Sequence, residues 1–149
     1  MALASLPWSL SGQEAPRTVA IEAICAGNEA LSQVSIDPWT LHLPVPSEDT
    51  NRNVEVAWVL QNSSPDSIAI QAKEAGNWPF GLTEMRGRGQ GQSRAPRAKM
   101  LGQLPRRGRR GQPKRVERGD RYSYNVVFYC TVEGESYTVA IDPDIDIGN

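Results

Sequence analysis

The fold is decided by Arg121-Tyr122-Ser123-Tyr124-Asn125-Val126-Val127-Phe128-Tyr129-Cys130-Thr131-Val132, together with the residues from Glu133 to Gly148 that follow it. From Tyr122 onward the residues alternate. Tyr122, Tyr124, Val126, Phe128, Cys130 and Val132 point one way, and Ser123, Asn125, Val127, Tyr129 and Thr131 point the other. A period of two in β-branched and aromatic residues predicts a strand buried on at least one face. Glu133-Gly134-Glu135 supplies a turn. Tyr137, Val139 and Ile141 then share a face in a second strand, continued by Pro143, Ile145 and Ile147 with Asp142, Asp144 and Asp146 outward. This pattern reads as a β-hairpin on which the other strands pack.

Earlier in the chain the same period recurs. Val19, Ile21, Ala23 and Cys25 alternate with Glu22 in a strand over residues 17–25, which Ala26-Gly27-Asn28 breaks. Glu29 to Gln33 reads as a helical turn or a loop. Val34 to Leu43 is a strand region bent at Asp37-Pro38, with Trp39, Leu41 and Leu43 on one face, and its proline favours a sheet edge. Val54, Val56, Trp58 and Leu60 form a further strand, and Ile68, Ile70 and Ala72 another after a turn rich in Asn, Ser, Pro and Asp. Gly76-Asn77-Trp78-Pro79-Phe80-Gly81 is an aromatic turn whose rings plug one end of the core. Short strands without a long helix predict an antiparallel Greek-key β-sandwich of six to seven strands, with residues 17–149 as one domain and residues 1–16 as a flexible arm. The immunoglobulin pattern fits poorly, because Trp58 follows Cys25 by 33 residues and Phe128, not tyrosine, precedes Cys130 by two.

Charge is distributed very unevenly. The net charge of −1 conceals twelve Lys and Arg between Arg86 and Arg118 against the single acid Glu117, a local balance of +11 that leaves −12 elsewhere. Residues 86–119 are rich in arginine and glycine and poor in apolar side chains, and a segment of this kind is expected to stay disordered as an insertion in the sandwich. Three readings of it are open. It is a solvated insertion, or it docks on acidic protein surface of its own or another copy, or it binds nucleic acid or another polyanion. For the last, Arg86, Arg88, Arg94, Arg97, Arg106, Arg107, Arg109, Arg110, Lys114 and Arg115 are the candidate contacts, since the guanidinium fork matches phosphate and other oxyanions.

A resemblance accompanies these residues. Val34-Ser35-Ile36-Asp37-Pro38, Val54-Glu55-Val56-Ala57-Trp58-Val59-Leu60, Gly119-Asp120-Arg121-Tyr122-Ser123-Tyr124-Asn125-Val126 and Ile141-Asp142-Pro143-Asp144-Ile145 together look like small bacterial proteins of cupredoxin-like β-sandwich fold. The resemblance implies the fold and not the electron transfer. A blue-copper site needs two histidines and a cysteine, and the chain has the one histidine His42.

No other constellation points to catalysis or a cofactor. The carboxylates from Asp142 to Asp146 lack the spacing of a calcium loop. His42 reads as a surface residue, and no nucleophile–base pair or phosphate-cradling glycine loop is visible. The expectation is a non-enzymatic binding module whose basic loop contacts a polyanion, nucleic acid first, without metal, cofactor or small-molecule substrate; the alternative is a structural or assembly module that binds acidic protein surfaces, with the loop a solvated insertion. Cys25 and Cys130 read as buried free thiols, with an inter-strand disulfide as the alternative. Residues 1–10 lack the basic start of an export signal and are too short to span a bilayer, so the expected location is cytoplasmic, away from the membrane.

Overall fold

The computed structural model describes residues 17–45, 54–74, 76–88, 94–100, 103–104 and 114–148, with backbone alone at 103–104 and 114–115. Strands account for the regular structure: β1 Arg17–Gly27, β2 Ala30–Asp37, β3 Thr40–Leu43, β4 Glu55–Leu60, β5 Ser67–Ala72, β6 Glu84–Gly87, β7 Arg97–Lys99, β8 Gln103–Leu104, β9 Lys114–Arg115, β10 Arg121–Val132, β11 Glu135–Ile141 and β12 Asp144–Ile147. No α-helix occurs among the described residues.

The first sheet runs β2-β1-β4-β7. The second runs β3-β12-β10-β5-β6, with β11 also paired to β10, and β8–β9 is a separate short ribbon. Two of the pairs are parallel, β1 with β4 and β12 with β3. The sheets are therefore mixed, which corrects the expectation of purely antiparallel pairing in six to seven strands. Two-residue hairpins join two of the antiparallel pairs. Asn28 (φ 55°) and Glu29 (φ 58°) join β1 to β2, and Glu133 (φ 53°) and Gly134 (φ 82°) join β10 to β11. Positive φ at both central residues gives the primed turn whose twist suits adjoining strands. The segment Glu29 to Gln33, read as a helical turn or loop, is instead that turn and the start of β2.

The alternating face of β10 is the backbone of the core. Tyr122, Tyr124, Val126, Phe128 and Cys130 are buried against Val19, Ile21 and Ala23 of β1 and Val56, Trp58 and Leu60 of β4. Trp58 donates its Nε1 hydrogen to the Tyr124 hydroxyl at 3.1 Å, so these two buried polar-tipped rings satisfy each other across the sheets. Phe80 stands edge-on to Trp58 with centroids 5.7 Å apart, and Trp78 meets Phe80 at 5.2 Å. The aromatic turn does plug the core. Trp39 does not: it is 46% exposed where the chain crosses from β2 in one sheet to β3 in the other.

The cysteines are bonded. Cys25 on β1 and Cys130 on β10 form a disulfide between the two sheets, with Cα atoms 5.8 Å apart. The free-thiol expectation is corrected, and the cause is geometric: both residues take inward positions on strands of the two facing sheets. A disulfide fits a non-reducing compartment rather than the cytoplasm expected from the sequence. No described helix is long and apolar enough to cross a membrane.

Candidate functional site

The basic segment is not wholly loop. Arg86 and Gly87 complete β6, the last strand of the second sheet, and Arg97 to Lys99 form β7, the last strand of the first. The chain crosses between the sheets from one to the other, so the two edge strands share one flank of the sandwich. Met85 (5% exposed) and Met100 (1%) turn inward there, and Val116 (3%) is likewise buried. Within residues 86–119, expected as a disordered insertion, the described stretches include Arg86 and Gly87 of β6, Arg97–Lys99, Gln103–Leu104 and Lys114–Arg115 in strand. Arg106, Arg107, Arg109 and Arg110 lie outside the described residues, as does the arm at 1–16, while Lys114 and Arg115 form the backbone of β9.

Alternation explains which side chains this flank presents. Inward Met85 and Gly87 leave Arg86 and Arg88 on the outer face of the second sheet. Inward Ala98 and Met100 leave Arg97 and Lys99 on the outer face of the first. All four are exposed, as is Arg94 between them. The crossing is tight. A Cβ on Gly87 would run into the Arg94 carbonyl oxygen and lie 2.7 Å from the Pro96 ring, while Trp58 N–H donates to the Pro96 carbonyl at 3.0 Å. The five cations thus stand on or beside the two edge strands. Two acids stand among them: Glu55 opposite Lys99 in the β4–β7 register, and Glu84 beside Arg86.

Arg86 is the best positioned of the five. Its Nε donates to Glu84 Oε2 at 3.2 Å, and its guanidinium carbon lies 5.0 Å from the centroid of the outward Tyr129 ring. Gln71 Nε2 also donates to Glu84 Oε2, at 3.1 Å. The Gln71 hydrogen bond, then that of Arg86, holds the Glu84 carboxyl below its ordinary range. With Nε so engaged, the Nη edge of the guanidinium is the part left to meet an oxyanion.

Beside this pair, a cavity of about 260 Å³ opens on the outer face of β10 and β11, lined by Asp66, Tyr129, Thr131, Ser136 and Thr138 among others. Thr131 Oγ1 donates to Asp66 Oδ2 at 2.8 Å and lies 3.3 Å from Ser136 Oγ. Sequence reading placed Tyr129 and Thr131 outward but gave them no role. The available signal was an aromatic among hydroxyl side chains on a solvent-facing row.

The acidic stretch from Asp142 to Asp146 finds its partners within the chain. Asp146 Oδ1 accepts from Arg121 Nε at 2.7 Å, Asp142 Oδ2 from Lys73 Nζ at 3.0 Å, and Asp144 Oδ1 from Ser123 Oγ at 3.1 Å. Hydrogen bonds from Arg121 and Lys73 hold the Asp146 and Asp142 carboxyls below their usual range. His42 is exposed, with Nδ1 4.0 Å from Asp146. Among the described residues no group of three His, Cys, Asp or Glu side chains could hold a metal ion. No protein-family model, curated protein or solved structure matches this chain.

Proposed function

We propose that this chain is a non-enzymatic binding module that holds a flexible polyanion along the flank formed by β6 and β7. One observation carries the reading: the edge strands of both sheets bring Arg86, Arg88, Arg94, Arg97 and Lys99 to one side of an otherwise acidic body. Opposite signs on two parts of one surface steer an anionic polymer to the flank and repel it elsewhere. The cations face both outer surfaces of a two-layer body about 10 Å between sheets, so a chain that bends around the edge meets more of them than a rigid rod does. In sequence, Arg106, Arg107, Arg109, Arg110, Lys114 and Arg115 continue the same charge between β7 and β10. Docking on the acidic β12 of another copy is less favoured, since Asp142 and Asp146 already have cation partners. The finer fold assignment, a Greek-key sandwich of cupredoxin-like kind, belongs to the same proposal. Its support is the mixed pairing, which departs from the antiparallel sheets of immunoglobulin domains.

The test is a salt series with a fluorescent dextran sulfate, using the intact chain and the variant R86S/R88S/R97S/K99S. Binding should weaken linearly in log–log form, and the variant's slope should fall by roughly one unit for each lost contact, as for phosphate contacts. Equal affinity and slope in the two folded proteins would overturn the reading.

A further inference from the structure

Resting on the polyanion reading, we infer that the polymer is an acidic polysaccharide, and that the cavity beside Tyr129 and Arg86 receives one of its uronate units. Three observations converge on a sugar rather than a phosphodiester. First, the cavity wall combines the aromatic side chains of Tyr129 and Tyr137 with the hydroxyls of Thr131, Ser136 and Thr138 and the carboxylate of Asp66. A pyranose offers C–H faces to the ring and several hydroxyls to the polar groups, in one compact unit. A volume of about 260 Å³ lies just below the roughly 300–1,000 Å³ of drug-sized sites, which suits a single ring.

Second, charges of both signs flank the cavity: Asp66 lines it, and Arg86 stands against the Tyr129 ring that forms part of its wall. The Nη edge of Arg86 suits a carboxylate, with bidentate geometry available to it. Asp66 lies at the other end of the hydroxyl cluster, where it accepts from Thr131. That carboxylate repels a phosphate backbone and welcomes a hydroxyl donor. A uronate unit satisfies both ends, since it carries its anion and its hydroxyls on the same ring. Third, the Cys25–Cys130 bond fits a non-reducing compartment, where anionic polysaccharides are the polyanions at hand and cellular RNA is not.

The decisive experiment titrates the full chain with an oligogalacturonate, a neutral oligosaccharide of the same length and a single-stranded oligonucleotide of matched charge. Each titration is repeated with Tyr129→Ala, Asp66→Ala and R97S/K99S. The oligogalacturonate should bind tightest and the neutral sugar at least tenfold more weakly. Tyr129→Ala should cost the oligogalacturonate about tenfold and the oligonucleotide about threefold or less, through the lost support of Arg86. Asp66→Ala separates the causes by sign. If Asp66 accepts sugar hydroxyls, its loss weakens oligogalacturonate binding while it strengthens oligonucleotide binding. If charge alone acts, both polymers bind more tightly and the sugar site is overturned. Should Tyr129→Ala fail to fold, the Asp66→Ala result decides alone. Binding of both polymers, weakened by R97S/K99S and indifferent to Tyr129→Ala, leaves the flank standing and refutes the uronate site. No binding of either polymer refutes the polyanion reading itself.

Discussion

Replacing Cys25 and Cys130 together by alanine tests the two-sheet architecture at the point where the sheets are joined. The bridge closes a loop across a sequence separation of 105 residues. In the chain-entropy model a loop of about 100 residues restricts the unfolded state by about 4.7 kcal/mol, and measured removals fall at roughly 2–5 kcal/mol. Cys130 is buried at 2% exposure, so its truncation adds a small cavity cost on the native side. A loss of about 3–5 kcal/mol is expected, which for a domain of this size lowers Tm by roughly 10–15 °C. Thermal and urea unfolding of the oxidised chain, the reduced chain and the double variant measures it. Reduction and substitution should destabilise alike, because both release the same loop. An oxidised chain that melts within 2 °C of its reduced form would refute the reasoning, and with it the pairing of β1 against β10 through these residues.

Other outcomes follow from single contacts. Gly87→Ala sets a methyl against the Arg94 carbonyl and the Pro96 ring, and overpacking of this kind costs about 1–3 kcal/mol, readable as a lower urea midpoint. The Tyr137 hydroxyl accepts from Gly27 N–H at 2.8 Å and donates to the Ala30 carbonyl at 3.0 Å, pinning one hairpin to the other. Tyr137→Phe should cost about 1 kcal/mol and speed amide exchange at Gly27. Burial pushes the Tyr124 phenol up to about 12 from 10.0. A folded value above the unfolded one gives stability that is complete below pH 10 and is lost as pH rises toward 12, on the order of 3 kcal/mol. Tyr124→Phe should flatten that alkaline slope in pH-dependent unfolding, and an unchanged slope would contradict it.

Much of the fold was legible because burial follows the two-residue period. Tyr122 through Cys130, Val54 through Leu60 and Ile145 with Ile147 all face inward where their alternation put them. The turn at Glu133-Gly134 was legible from the glycine alone. The register was not: parallel pairing of β1 with β4 is a long-range event that no local pattern encodes. The basic segment misled because arginine count overrode alternation. Pro96, Ala98 and Met100 repeat every second residue between Arg97 and Lys99, which is a strand pattern, yet the density of positive charge read as disorder. The disulfide stood only as the alternative reading, since two inward cysteines look alike in sequence whether they pack or bond. As for the site, its cations were visible in the sequence. Their division between two sheet faces, and the hydroxyl-lined cavity beside Tyr129, depend on which strands become neighbours.

Amide and side-chain NMR shifts of the oxidised chain during titration with an oligogalacturonate test most directly whether the β6–β7 flank is the binding surface. Saturable, salt-sensitive shifts should fall on residues 84–88, 94–99, the cations from Arg106 to Arg115, Asp66 and the Tyr129–Thr131 stretch with its β11 neighbours, leaving β2, β3 and β12 still. Shifts centred on β2 and β3, or none at any polymer concentration, would contradict it.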